Sequence, residues 1–176
     1  MGGNMTQAGN SDHFHAGLKW RRSGRDRRAT DRRVTGIAAT DGDMDALTGL
    51  YSGDAWNRIL AAEDERCERY GHTSCIVSIE LEGPGIASAD LICRAGLSIR
   101  VVTKERDFVA RVGTEKFAVL VAESCSANSC RVVQRIRIAL NRVGVAASIG
   151  LAMRLPEKGL QYAFREAFRA KPYRVP

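Results

Sequence analysis

The sequence predicts an α/β (α+β) domain, a central sheet with helices packed on it, preceded by a disordered basic arm. Two observations carry this. Near residue 40 the composition changes from Gly, Ser, Asn and Arg to segments with regular apolar spacing. From there, segments of helical spacing alternate with short apolar runs in the order α, β, α, β-hairpin, α, β, α, and the hairpin strands must pair antiparallel. A mixed rather than all-parallel sheet is therefore expected.

The elements follow in order. In "DALTGLYSGDAWNRILAAEDERCERYG", Trp56, Ile59, Leu60 and Cys67 line one helical face that Gly71 can close. "SCIVSIELE" (74–82) reads as a strand stopped by the breaker "GPG" at 83–85. Residues 87–104 place Leu91, Ala95, Leu97, Ile99 and Val102 at roughly helical spacing, weakened by Gly96. Hairpin strands over 107–112 and 117–122 come next, then a helix over 128–143, a strand over 145–153 and a helix over 159–170. Trp56, Phe108 and Phe117 are spaced as core residues, and His72, after the helix-ending glycine, as a surface one.

Length and composition set the bounds. At 176 residues and 44% apolar, the chain supports one ordinary core plus a tail. No apolar run reaches transmembrane or signal-peptide length, so a soluble, cytoplasmic protein without a membrane span is expected. Cys67, Cys75, Cys93, Cys125 and Cys130 are odd in number, lack a C-x-x-C pair and sit mostly in apolar runs, which suits buried thiols. His13 and His15 are too few ligands for a metal site.

The formal charge of +7 is uneven. Residues 1–40 hold eight basic side chains against three acids, a balance of +5, which leaves +2 for the remainder. Lys19, Arg21, Arg22, Arg25, Arg27, Arg28, Arg32 and Arg33 supply that charge, with Asp-Arg-Arg occurring twice. Such an arm either binds polyanions, nucleic acid or an anionic surface, through guanidinium forks, or is a solvated linker.

"DALTGLYS" (45–52), "DFVARVGTEKFAVLV" (107–121) and "ASIGLAM" (147–153) resemble, in order and spacing, the motifs of the GGDEF family of diguanylate cyclase domains. The resemblance covers about residues 43–171, more weakly at "REAFRAK", and divides the chain into an arm (1–40) and a domain (41–176). It implies a nucleotidyl-cyclase-like fold with a mostly antiparallel sheet of five strands. Active members bind GTP and two Mg²⁺, pair face to face, and join two GTP into cyclic di-GMP. Hard Mg²⁺ requires converging carboxylates to neutralise phosphate charge. On the resemblance, Glu80 and Glu115 take metal-ligand positions, while Gly113, Thr114, Glu115, Lys116 and Phe117 form the signature turn. Taken alone, Glu80 and Glu82 are ordinary strand-end acids.

The departures from the family pattern decide the functional expectation. Thr114 replaces a glycine, and a β-branched residue resists positive φ and crowds a phosphate. Lys116 replaces an acid, and one unit-charge pair at ~4 Å is worth roughly 4 kcal/mol at an effective dielectric near 20. The ammonium could instead stand in for a cation between Glu80 and Glu115. The segment after the first strand is cut to "GPGIAS" and lacks the guanine-reading Asn, leaving Asp90, with Lys171 near the C-terminus, as nucleotide contacts. Lys104 and Asp107 match the ends of the family's inhibitory Arg-x-x-Asp, with Arg111 as a neighbouring cation; an ion-pair cluster is the plainer reading.

The expectation is a catalytically inactive GGDEF-like regulator in cyclic di-GMP signalling. Its partners would be another signalling protein, cyclic di-GMP or GTP, and a second copy in a homodimer; it would require no cofactor, Mg²⁺ entering only with GTP. The alternatives are a weakly active, non-consensus cyclase and a polyanion binder acting through the arm. Removing residues 1–40 is expected to leave the melting temperature unchanged while abolishing any salt-sensitive polyanion binding. Unfolding of the shortened chain, or equal binding by it at low salt, would contradict this.

Overall fold

The protein is described here by a computed structural model covering residues 42–83 and 88–170. The arm, the 84–87 stretch and Lys171 lie outside these described residues, and with them the boundary expected at residue 40.

Helix α1 (Gly53–Tyr70) begins at Ser52, whose hydroxyl accepts the Ala55 N–H at 3.3 Å, and ends at Gly71, where φ is 67°. Only a residue without Cβ enters that left-handed backbone cheaply, so the helix closes there. The order then runs β1 (Cys75–Glu82), α2 (Ala89–Val102), β2 (Phe108–Arg111), β3 (Lys116–Val121), α3 (Ser126–Arg142), β4 (Ala146–Met153) and α4 (Gly159–Arg169). The strands form one sheet in the order β2-β3-β1-β4.

All three strand pairings are antiparallel, so the expected mixed sheet is corrected. Four strands are present among the described residues, where five were expected. Beyond β2, among the described residues, there is one isolated parallel bridge, Tyr51 to Ala110, because turns within residues 42–49 leave no extended run to pair.

Strand alternation feeds two cores. Val77, Ile79, Phe117, Val119 and Ile149 join Ile92 and Ile99 of α2 and Ile136 and Leu140 of α3 on one face. Ile76, Leu120 and Ala118 join Trp56, Ile59 and Leu60 of α1 and Leu160 and Ala163 of α4 on the other. Leu97, one of the apolar residues at roughly helical spacing, is 65% exposed. Gly96 takes the inner position instead, because the loop before α1 crosses α2 there: a Cβ on Gly96 would stand 3.1 Å from Leu50 Cδ1. The five cysteines remain thiols, with Cys67 and Cys75 buried, Cys93 and Cys130 half-buried and Cys125 exposed; the buried-thiol expectation holds fully for two.

Helix α4 lies unusually close to the sheet. Ser78 donates its hydroxyl to the Ala167 carbonyl at 2.7 Å, and Gly150, opposite Ser78 in β4, leaves room for that carbonyl. A Cβ on Gly150 would collide with Ala167 O and stand 2.7 Å from Ser78 Oγ. Gly150→Ala is therefore expected to destabilise the domain by about 1–3 kcal/mol through overpacking, seen as a lower urea midpoint at unchanged m-value.

Candidate functional site

The β1–β3 register sets Glu80 opposite Lys116, beside the hairpin turn. The Lys116 ammonium lies 3.1 Å from Glu80 Oε1, and the Phe168 ring of α4 stands with its centroid 5.6 Å from the same Nζ. An acid, a cation and an aromatic ring thus occupy the position where the resemblance implied a metal. The Glu115 carbonyl accepts the Leu81 N–H at 3.0 Å, which ties the turn to the end of β1. Glu82 accepts the Ser148 hydroxyl across the β1–β4 pair and is thereby turned to the other neighbour.

The donors present do not fit the two Mg²⁺ of a cyclase. Glu80 pairs with Lys116, and no group of three or more acidic, histidine or cysteine side chains suited to a cation occurs among the described residues. The reason expected from Thr114 is corrected. Neither Gly113 nor Thr114 adopts positive φ, so the turn carries a β-branched residue without backbone strain. Thr114 is exposed at the tip, and Phe117 is a core residue below it.

Arg111 serves the turn rather than a ligand. Its guanidinium reaches Asp45 Oδ2 at 3.1 Å and donates to the Thr114 carbonyl at 2.9 Å, linking the loop before α1 to the hairpin. Partial burial would raise the Asp45 carboxyl, but hydrogen bonds from the Thr48 hydroxyl and amide, and then Arg111, bring it below the ordinary value of 3.8.

Arg111 lies at the opposite end of β2 from Asp107, so the expected trio Lys104, Asp107 and Arg111 does not form one site. Asp107 is 4% exposed; its Oδ2 accepts the Lys104 N–H at 2.9 Å, while Oδ1 is buried without a hydrogen-bond partner among the described residues. Burial pushes its carboxyl up, opposed by the Lys104 hydrogen bond and by Arg106, Lys104 and Arg135.

Next to it opens a cleft of about 240 Å³ lined by Lys104, Arg106, Arg131, Arg135 and Asn128. Asn128, Arg131 and Arg135 lie on successive turns of α3, a spacing that projects them to one side. Lys104, and Arg106 as a neighbouring cation, are legible from the sequence motif; for Asn128, Arg131 and Arg135 the i, i+3, i+7 spacing was the available signal. Asp90 is exposed and paired with Arg94 at 3.0 Å, and it is not among the residues that line the cleft.

The Asp45 clamp gives a pH signature. A carboxyl whose folded pKa is depressed adds stability that is fully present above its unfolded value and is lost as pH falls through the folded value. Stability is therefore expected to drop more steeply below about pH 4 in the native chain than in Asp45→Asn, compared by urea midpoints across an acid series.

No protein-family model matches the chain, and no curated protein matches it either. Solved structures do. The GGDEF domain of DgcB from Caulobacter crescentus, in complex with c-di-GMP, is 20% identical, with 76% of this chain and 90% of that chain covered and a TM-score of 0.68. The diguanylate cyclase SiaD from Pseudomonas aeruginosa, in complex with its activator SiaC, is 22% identical, with 83% of this chain and 63% of that chain covered and a TM-score of 0.68. The FimX GGDEF domain from the same organism is 22% identical, with 72% and 90% covered and a TM-score of 0.63. No helix among the described residues is long and apolar enough to cross a membrane. The sheet order, the four flanking helices and these likenesses together give the chain a GGDEF-like fold.

Proposed function

We propose that this chain is a non-cyclising GGDEF-fold domain that works in cyclic di-GMP signalling by binding, taking an anionic ligand of the cyclic dinucleotide class in the basic cleft and engaging a protein partner. The observation that carries the reading is the Lys116–Glu80 pair, 3.1 Å apart where the fold's cyclases need acids. The strength of that pair is not the obstacle. Both side chains are nearly half exposed, at 47% and 46%, and such pairs are worth about 1 kcal/mol or less, so a divalent ion could displace the ammonium. What it would then lack is oxygen ligands: Glu80 and Glu115 remain, and Lys116 still stands beside them with Phe168 against it. The guanine side is thin as well, since six residues, Gly83 to Ser88, join β1 to α2.

The cleft supports binding. Four cationic side chains around about 240 Å³ outnumber the acids beside it, and three of them are guanidinium groups able to fork onto phosphate oxygens. Partner binding rests on two other observations. SiaD, matched in fold, is in complex with an activator, and this chain exposes Leu97 and Val101, at 65% and 73%, one turn apart on α2.

Incubation with GTP and Mg²⁺ is expected to yield no cyclic di-GMP by chromatography. Product whose formation depends on Glu115 would overturn the reading. The double variant Thr114→Gly, Lys116→Glu is also expected to stay inactive, because the short β1–α2 connection is unchanged. In calorimetric titration with cyclic di-GMP, Arg131→Ala and Arg135→Ala are each expected to weaken binding by about 1–3 kcal/mol, the cost of a lost charge-assisted contact. Equal affinity in both variants would remove the ligand from the cleft.

A further inference from the structure

Glu123 follows β3 with φ 51°, a left-handed backbone that is costly for a residue with a Cβ, and strain of this kind persists where the surroundings hold it. Its carboxylate stands between two guanidinium groups. Oε1 lies 3.2 Å from Arg66 Nη2, and Oε2 lies 3.3 Å from Arg106 Nη1. Arg106 lines the basic cleft. Arg66 belongs to α1, and its Nη1 lies 3.1 Å from Oε2 of Glu63, whose side chain is 2% exposed. Glu63 Oε1 in turn accepts the Ser74 hydroxyl at 2.8 Å. An unbroken chain of charge, Arg106–Glu123–Arg66–Glu63, therefore runs from the cleft to a buried acid beneath α1.

We propose that Glu123 couples the cleft to α1, so that an anion drawing Arg106 away leaves Glu123 to compete with Glu63 for Arg66, and proton uptake at Glu63 accompanies anion binding. Two acids and two guanidinium groups balance while the chain is intact. Once Arg106 turns to a bound anion, two carboxylates share one guanidinium, and the buried one is the costlier to leave charged. The surroundings of Glu63 favour its protonation. Burial pushes its carboxyl above the ordinary 4.5 and Glu123 adds to this, against the Ser74 hydrogen bond, Arg66 and His72. From α1 the Cys67 thiol also faces it, 4.0 Å from Oε1, with Asp64 and Arg154 beyond that thiol. Linkage makes the effect reciprocal: lower pH strengthens anion binding through this route. The ligand in the cleft is that of the function proposed above, but the wiring is independent of it.

The test is a carboxyl ¹³C titration of the full chain, with the Glu63 signal assigned by through-bond correlation and pyrophosphate as the anion. The Glu63 midpoint is expected to rise by about 0.5 pH unit or more in Arg106→Gln, a substitution at a half-exposed side chain that the fold tolerates. Saturating pyrophosphate should raise it comparably in the native chain and no further in Arg106→Gln. In Glu123→Gln the midpoint should no longer respond to pyrophosphate. An identical midpoint in the native chain and Arg106→Gln would overturn the coupling, whatever the cleft binds. A shift in Arg106→Gln with no response of the native chain to pyrophosphate would establish the wiring while overturning anion control and the cleft reading together.

Discussion

Strand β1 is the constraint on which the other elements depend. It is hydrogen-bonded along both edges, to β3 and to β4, and covered on both faces by a core. A slip of one residue would exchange Ile76 with Val77 between the two cores and carry every other side chain of the strand to the wrong face. The register is thus fixed by burial over most of its length. The polar end of the strand inherits that register, which is why Glu80 meets Lys116 although their attraction is small.

This separation between the buried core and the exposed rim explains how the hairpin turn carries a lysine without cost to the fold. Lys116 and Glu80 lie at the rim, and Thr114 is exposed in a backbone that accepts any residue. The basic cleft sits elsewhere, between the start of α3 and the segment that leads into β2. On the proposed reading, binding and catalysis would occupy different places on this scaffold, so that one could be kept while the other is given up.

Much of the fold was legible in the sequence because its signals are local. The short apolar run "SCIVSIELE" with its breaker "GPG", the helical spacing of Trp56, Ile59 and Leu60, and the stop at Gly71 all report on neighbours within a few residues, and the element order follows from them. What was misread depended on contacts distant in sequence. Leu97 has helical spacing with its neighbours, but the loop carrying Leu50 crosses at Gly96 and turns Leu97 outward. Arg111 was grouped with Asp107 by proximity in sequence, yet a strand separates them and sends Arg111 to Asp45. For the same reason the cleft was half seen: Lys104 came from its place in a motif, whereas Arg131 and Arg135 reach it only through the packing of α3. The arm stays a reading of composition, lying as it does outside the described residues.

The closeness of α4 to the sheet has a bearing on ancestry. Ser78 and Gly150 face each other across the β1–β4 pair, and the carbonyl of Ala167 fits over them because one side chain is small and the other absent. None of the three atoms involved takes part in the turn or the cleft, so drift in catalytic residues leaves them under constraint. A hydroxyl and a glycine at paired strand positions, with a small residue near the end of the last helix, would therefore form a fingerprint for chains that have lost the turn motif yet keep this helix seating.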